Sequence, residues 1–522
     1  MRLWGLALIV SGLVGVWAQV AWADDPAATI YEPGQMSVIK LTLPQKSREG
    51  LAADRDKYQP GTFSLAETDG TPGGEGAFST PVNVKIKLKG SASYRPLSEK
   101  SAFKIKFEEA PFRGLKYITL NNMVEDPSMI HETLAYTAFR GAGVPASRTG
   151  YAYVYVDGED YGVHLNIEAL DGVALAKRFG SFDDATQHLY EGEDGHDAYP
   201  GGAGQFEIDE GGDDRSDLEA LVEAVNSNGS SSWASRVAAV IDLQEMTRMW
   251  AVEKYIGQWD GYAGRNGETW LPNNYYLYSD PSGKFQMLPW GNDESWQMAY
   301  RLPFDGRAGL MFNHCLDDVT CAALYRESVA AVRQAIGGMD LDALAVSSAA
   351  LLAPWQQMEQ EDSTREEHNI EEIQKKVAEA RAFIAARPGD VAEWLGERSP
   401  PGSVVSTLIP PPPHLSIGFA PSRFKVGRAW VKGGVLRVRG QSRAKGVVTL
   451  RATIPTSKGA AVVCRDRIRV RRAGRLTLRC RLATVVRARL RQGRLSLAIA
   501  IRFLSPGESP ESVTRQIVLS PG

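Results

Sequence analysis

Three observations predict an α+β fold followed by a small all-β domain. Apolar residues alternate through much of 36–167, they recur at helical spacing between Ser216 and Ala386, and beyond a proline-rich run short alternating strands return. The boundaries expected are an α+β domain over 24–398, a stiff linker over 399–414 and a β-sandwich over 415–522. Charge divides the chain at the same place. From Pro401 onward 24 Lys and Arg face 3 Asp and Glu, although the whole chain carries only −3, so the first part is strongly acidic.

Residues 1–23 read as a secretory signal: Arg2, an apolar run from Leu3 to Val16, and Ala21-Trp22-Ala23 as a cleavage site. That run is interrupted by Ser11, Gly12 and Gly15 and falls short of the roughly 20 apolar residues a membrane span needs. The mature protein is expected to be secreted or associated with the cell envelope, with no transmembrane segment. Cys315 with Cys321, and Cys464 with Cys480, form two close pairs suited to local disulfides in such a compartment.

Met36 to Leu43 and Val82 to Leu88 alternate as strands, and Phe103, Ile105 and Phe107 oppose Lys104 and Lys106. Asp126-Pro127-Ser128 is a helix-start signal for a helix running to about Arg140. Tyr151 to Val156 and Gly162 to Ile167 form a hairpin about Asp157-Gly158-Glu159-Asp160. A loop rich in Gly and Asp spans Glu191 to Asp213. Helices are then expected at Ser216 to Asn226, Leu243 to Ile256 and Glu366 to Ala386. In the last domain Arg465, Arg467 and Arg469 alternate with apolar residues, as do Arg475, Arg479 and Arg481. That parity turns arginine outward and both Cys464 and Cys480 inward.

The chemistry-bearing stretch is Trp259-Asp260-Gly261-Tyr262, Asn273-Asn274-Tyr275-Tyr276, and Leu288-Pro289-Trp290-Gly291-Asn292-Asp293-Glu294. An acid to orient a hydroxyl, with amide and carboxylate oxygens for a hard cation, is the set that phosphoryl transfer requires. A β-rich part with one helix, followed by helices, is also the layout of a two-lobed protein-kinase-like domain.

The first 400 positions resemble the CotH family of spore-coat-type atypical protein kinases. The likeness rests on Lys89-Gly90-Ser91-Ala92-Ser93 with Lys100 to Phe107, Leu120-Asn121-Asn122 through Asp126-Pro127-Ser128 to Glu132, and Val154 to Gly158 with Glu168. Asn274 to Tyr278 with Leu288 to Asp293, and Phe383 to Leu395, complete it. The resemblance implies an exported kinase that transfers the ATP γ-phosphoryl group to Ser or Thr of a protein substrate with Mg2+ or Mn2+. It implies that Lys104 or Lys106 grips phosphate, with Lys104 favoured and held by Glu132. Ser91 and Ser93 then lie in a phosphate-facing loop, Asp260 positions the nucleophile, and Asn274 with Asp293 ligates metal. Gly291 departs from the family, which commonly has an aspartate there, and this raises the alternative of an inactive kinase-like binding protein.

Other residues read more plainly. His131, His164 and His368 show no triad or ligand pattern and are expected to be structural. Glu191, Glu193, Asp194 and Asp197 lack a calcium-loop pattern and read as a solvated acidic loop. The arginine-rich sandwich suits a polyanion of the cell envelope, or docking against the acidic half. Nucleic acid is disfavoured because aromatics are scarce there, Phe424, Trp430 and Phe503 being its strand aromatics.

Overall fold

The computed structural model describes residues 25–397 except 193–194, 265–271, 302, 363–364 and 366, together with most of 424–519. The signal and linker expected from sequence lie outside the described residues. The chain divides into two compact units, Met1–Arg398 and Ser399–Gly522.

The first unit opens with β1 (Met36–Thr42), α1 (Gln45–Ala53), β2 (Gln59–Glu67), β3 (Val82–Lys89), β4 (Ala102–Lys106), β5 (Tyr117–Asn121), α2 (His131–Gly141), β6 (Thr149–Val156) and β7 (Glu159–Ile167). The strands close into a barrel in the order β1-β2-β3-β4-β5-β7-β6. Their alternation places Ile39, Leu41, Phe63, Leu65, Ile86 and Phe103 in one interior cluster. The α+β class is therefore observed, but the strands do not form the open lobe of a kinase-like two-lobed arrangement. The reason is β1, which pairs antiparallel with β2 on one edge and parallel with β6 on the other, from Met36↔Tyr151 to Leu41↔Val156. With both edges paired no free edge remains.

The helix begins later than its start signal suggested. Asp126 accepts from Ser128 N at 2.8 Å and His131 N at 2.8 Å, so the acid shapes a turn that delivers the chain to α2.

The remaining elements are α3 (Gly172–Phe179), β8 (His188–Gly192), β9 (Glu207–Glu210), α4 (Ser216–Asn226), α5 (Trp233–Val237), α6 (Leu243–Ile256), β10 (Tyr275–Ser279), β11 (Phe285–Pro289), α7 (Leu310–Asp317), α8 (Val319–Gly337), α9 (Leu341–Asp362) and α10 (Ile370–Trp394). A second sheet has the order β11-β10-β8-β9. From Glu245 to Ile256 every residue of α6 except Arg248 is buried, Met246, Met249, Trp250, Val252 and Ile256 among them. The larger core joins these residues to Leu134, Ala138 and Phe139 of α2, which fixes the barrel against the helical layer. The Cys315–Cys321 disulfide staples α7 to α8.

In the second unit, β12 (Phe424–Lys432), β13 (Val435–Ser442) and β16 (Gly474–Arg481) form one sheet; β14 (Gly446–Thr456), β15 (Gly459–Val470), β17 (Leu495–Leu504) and β18 (Glu511–Leu519) form the other. Leu436, Val438, Leu450, Leu478, Leu497 and Ile499 share one core between them. Cys464 and Cys480 are bonded and buried, as parity requires, and link the two sheets. Among the described residues no single helix is long and apolar enough to cross a membrane.

Candidate active site

Asp260 lies in the loop that follows α6, which ends in a left-handed Gly257. Two adjacent buried residues of α6 hold this loop. Glu253 accepts from Tyr262 N at 3.0 Å and Ala263 N at 2.7 Å, and Lys254 Nζ donates to the Gly264 carbonyl at 3.0 Å and the Gly306 carbonyl at 2.7 Å. Asn274, at φ 53° just before β10, donates through Nδ2 to Asp260 Oδ2 at 2.8 Å and to the Asp260 carbonyl at 3.0 Å. The two motifs thus converge as expected, although most of the intervening segment, 265–271, lies outside the described residues.

Beyond β11 the chain turns through Gly291 at φ 51°, whose carbonyl accepts from Gln258 Nε2 at 2.6 Å. A Cβ at Gly291 would sit 2.6 Å from Asn274 Oδ1 and 2.8 Å from Asn274 Cγ. A side chain here must therefore displace the amide that holds Asp260. Gly291→Ala is expected to cost about 1–2 kcal/mol from the left-handed backbone alone, plus the contact, and to weaken the Asn274–Asp260 bond. Urea denaturation of the purified variant measures the loss.

Asp293 is positioned from α2. The His131 Nδ1–H donates to its carbonyl at 2.8 Å, while Asp126 Oδ1 lies 3.3 Å from the same nitrogen. Glu132, one residue on, accepts from Asn121 Nδ2 at 2.5 Å and from Asn292 N at 3.3 Å. Trp259 Nε1 donates to Glu294 at 3.1 Å. His131 is thus a structural residue, as expected, but one that orients a site residue. His164 is buried and spans the carbonyls of Gly162 and Ser101.

The cation facing Glu132 and Asp293 is Lys89, at the end of β3, and not Lys104. Lys89 is half-buried; burial lowers its pKa, and the charges of Glu132 and Asp293 oppose that fall. Lys104 stands over the Tyr117 ring at 5.3 Å, and Lys106 is half-buried beside Glu108 at 3.8 Å. Alternation puts all these lysines on the outer face of the barrel, but Lys89 ends its strand where α2 and the Gly291 turn meet. Ser91 is exposed and Ser93 half-buried in the following loop, which Asn122 Nδ2 anchors through the carbonyls of Ser93 at 3.0 Å and Lys100 at 2.8 Å.

Sequence reasoning also passed over Glu125. Burial, reinforced by Asp293, Glu294 and Asp260, pushes its carboxyl up to about 7. Asp260 is pushed up to about 7 by burial with Asp293 and Glu294. Glu132 is pushed up to about 8 by burial and by Asp293, against Lys89. Asp293 and Glu294 are raised as well. Among the described residues, no three His, Cys, Asp or Glu side chains lie close enough to hold a metal ion by themselves. The donor set still fits a small hard cation, which takes one or two carboxylates with phosphate and water oxygens, and crowded acids that repel one another are relieved by such a charge. Asn274 and Asp293 are the residues that would hold it, with Asp260 beside them.

Asp197, expected in a solvated acidic loop, is instead fully buried. It accepts from Ala198 N, Tyr262 OH and Leu310 N, which ties the Asp260 loop to the start of α7. Glu193 and Asp194 lie outside the described residues.

These raised acids give stability a pH dependence. Glu125, Asp260 and Glu253 sit near 7 and Glu245 near 8, above the unfolded values near 4, so the folded chain binds more protons and stability falls as pH rises from about 4 to about 8. Lys254, pulled down to about 7 by burial, acts in the opposite direction above that pH, and His164, pulled down to about 4 by burial, does so below its unfolded value, but the raised acids outnumber them. The melting temperature, followed by circular dichroism, is expected to be higher near pH 6 than near pH 8.

Comparison with known proteins gives the chain's family. The family model for "CotH kinase protein" matches residues 86–389. Inner spore coat protein H of Bacillus subtilis (strain 168) is 25% identical over 224 residues, 41% of this chain and 59% of that protein. Inner spore coat protein H-like protein of the same organism is 34% identical over 94 residues, 18% of this chain and 29% of that protein. The chain thus spans less than two thirds of the length of either relative. With the family match covering more than half of its residues, the chain belongs to the CotH family.

Proposed function

We propose that this chain is an exported protein kinase that transfers the γ-phosphoryl group of ATP to Ser or Thr hydroxyls of a protein. The observation that carries this reading is the convergence of Lys89, Glu132, Asp293, Asp260 and Asn274 where the barrel meets the helical layer. Lys89 supplies a positive charge to phosphate oxygens, and Glu132 orients that charge from a helix fixed in the main core. Asp260 accepts the proton of the attacking hydroxyl, a task suited to an acid whose pKa lies near the working pH. Asn274 holds Asp260 in place. Mg2+ or Mn2+, held by Asp293 and Asn274, would supply charge neutralisation for the transferring phosphoryl group. The two disulfides suit an oxidising compartment, which supports export.

One observation favours a second reading, a kinase-like binding protein without turnover. Gly291 brings no carboxylate to the turn, and the Asn274 amide group is engaged with Asp260. Incubation of the purified chain with labelled ATP and Mn2+ or Mg2+ separates the two. Protein-bound label that disappears in Asp260→Ala and Asp293→Ala supports catalysis. No label in the parent with any offered protein, alongside retained nucleotide binding, supports the scaffold.

A further inference from the structure

The outer face of the sheet β12-β13-β16 has a use that the kinase reading does not assign. Leu436, Val438, Leu478 and Cys480 are buried in the core, so the alternate residues Arg437, Arg439, Arg479 and Arg481 stand on the opposite face. Arg439, Arg479 and Arg481 are exposed and Arg437 is half-buried. The register sets Arg437 directly across from Arg479, with Arg481 one row along across from Val435. On the other side of β13 it places Trp430 level with Arg437 and Lys432 level with Val435. The three strands together carry eight Lys and Arg and no Asp or Glu, so the face is strongly cationic in composition. The four-stranded sheet differs, since Asp466 and Glu511 lie on its strands. A further sign is Arg437 Nε, which is buried and has no hydrogen-bond partner among the described residues.

Strands lie about 4.8 Å apart, and alternate residues along a strand about 6.7 Å apart, so these side chains form a flat grid of cations. Such a grid suits a flexible chain of linked phosphates that lays charge after charge across it, and releases counterions as it does so. We infer that this face binds an anionic phosphate polymer lacking bases, with Arg437, Arg479 and Arg481 at its centre. Nucleic acid is less well matched, because binding of single strands relies on aromatic platforms and these strands carry Phe424 and Trp430 alone. An anionic bilayer is less well matched too. Insertion uses exposed apolar side chains, and among the described residues the large exposed ones, Tyr199, Met298, Val319 and Val346, all belong to the first unit. The inference stands whether or not the first unit transfers phosphate.

The test is binding of long-chain inorganic polyphosphate to the full mature chain, followed by fluorescence anisotropy between about 50 and 200 mM salt. The parent is expected to bind with an affinity that falls linearly on logarithmic axes. R437Q/R479Q/R481Q is expected to lose about tenfold or more in affinity and to reduce the salt slope by roughly 2. R451Q/R465Q/R502Q removes equal charge from the other sheet and is expected to bind within about twofold of the parent. Should the first triple variant lose its melting transition, the exposed pair R479Q/R481Q is read instead, with a proportionate loss expected. The inference is overturned if the parent does not bind, as capture of this face by acidic residues of the same chain would produce. It is also overturned if both triple variants lose affinity equally, or if single-stranded DNA or phosphatidylglycerol vesicles bind more tightly than polyphosphate.

Discussion

Lys89→Met is expected to lower phosphoryl transfer by about a hundredfold or more, whereas Lys104→Met lowers it far less. The difference follows from placement. Lys89 is the cation whose charge reaches Glu132 and Asp293, while Lys104 lies over Tyr117 on the same outer face. In the proposed reaction, loss of Lys89 removes a charge-assisted contact to phosphate that a neutral thioether cannot replace. The fold should tolerate the change, because Lys89 is half-buried at the end of its strand, and Glu132, whose carboxyl burial and Asp293 already raise, takes up a proton once the cation is gone. Initial rates of label transfer, measured beside melting curves of both variants, decide the matter. Equal activity of Lys89→Met and the parent would remove Lys89 from the site, and a dead Lys104→Met beside an active Lys89→Met would restore the sequence-based choice.

That choice shows where sequence reading ran out. Alternation in 82–89 and 102–106 correctly separates Ile86, Leu88, Phe103 and Ile105 from the lysines, because period 2 is a local property. It puts Lys85, Lys87, Lys89, Lys104 and Lys106 on one face without saying which of them α2 will approach. The same limit applies to the barrel. Five of its seven strands were legible and β2 and β5 were not; beyond that, the β1–β6 pairing joins residues more than a hundred positions apart, and alternation names a face and not a neighbour. The approach of Asn274 to Asp260 was legible because aromatic and acidic residues bracket both closely in sequence. Glu125 was not, since its surroundings come from Asp260, Asp293 and Glu294, all distant in the chain. Asp197 was misread for a related reason: its partners Tyr262 and Leu310 are long-range, and locally it is one acid among glycines. In the second unit the inward turn of Cys464 and Cys480 followed from parity alone, and the structure bonds them.

Glu359→Ala is expected to destabilise the first unit by about 3–5 kcal/mol, the range found when one partner of a buried ion pair is removed. Lys100 Nζ lies 2.6 Å from Glu359 Oε1, with side-chain exposures of 0% and 4%, so water cannot take over the lost interaction. The second oxygen, Oε2, accepts from Val163 N at 3.1 Å, so the truncation also leaves a buried strand N–H unpaired. Gly162, at φ 74°, makes room for this carboxylate, since a Cβ there would lie 2.5 Å from Oε1. Glu359→Gln keeps an acceptor for Val163 but removes the charge opposite Lys100, and an intermediate loss is expected. Replacing both partners together, Lys100→Met with Glu359→Leu, should recover much of the stability, because an apolar pair needs no desolvation of charge. Urea denaturation of the four proteins measures this. A loss below about 1 kcal/mol in Glu359→Ala would mean that the pair is solvated in solution. The consequence reaches the site, because the Lys100 and Ser93 carbonyls share the Asn122 amide that anchors the loop after Lys89. At a temperature where Glu359→Gln remains folded, and on the proposed kinase function, its apparent KM for nucleotide should therefore rise more than its turnover falls, since the loop proposed to face phosphate is loosened while Asp260 and Asn274 stay in place.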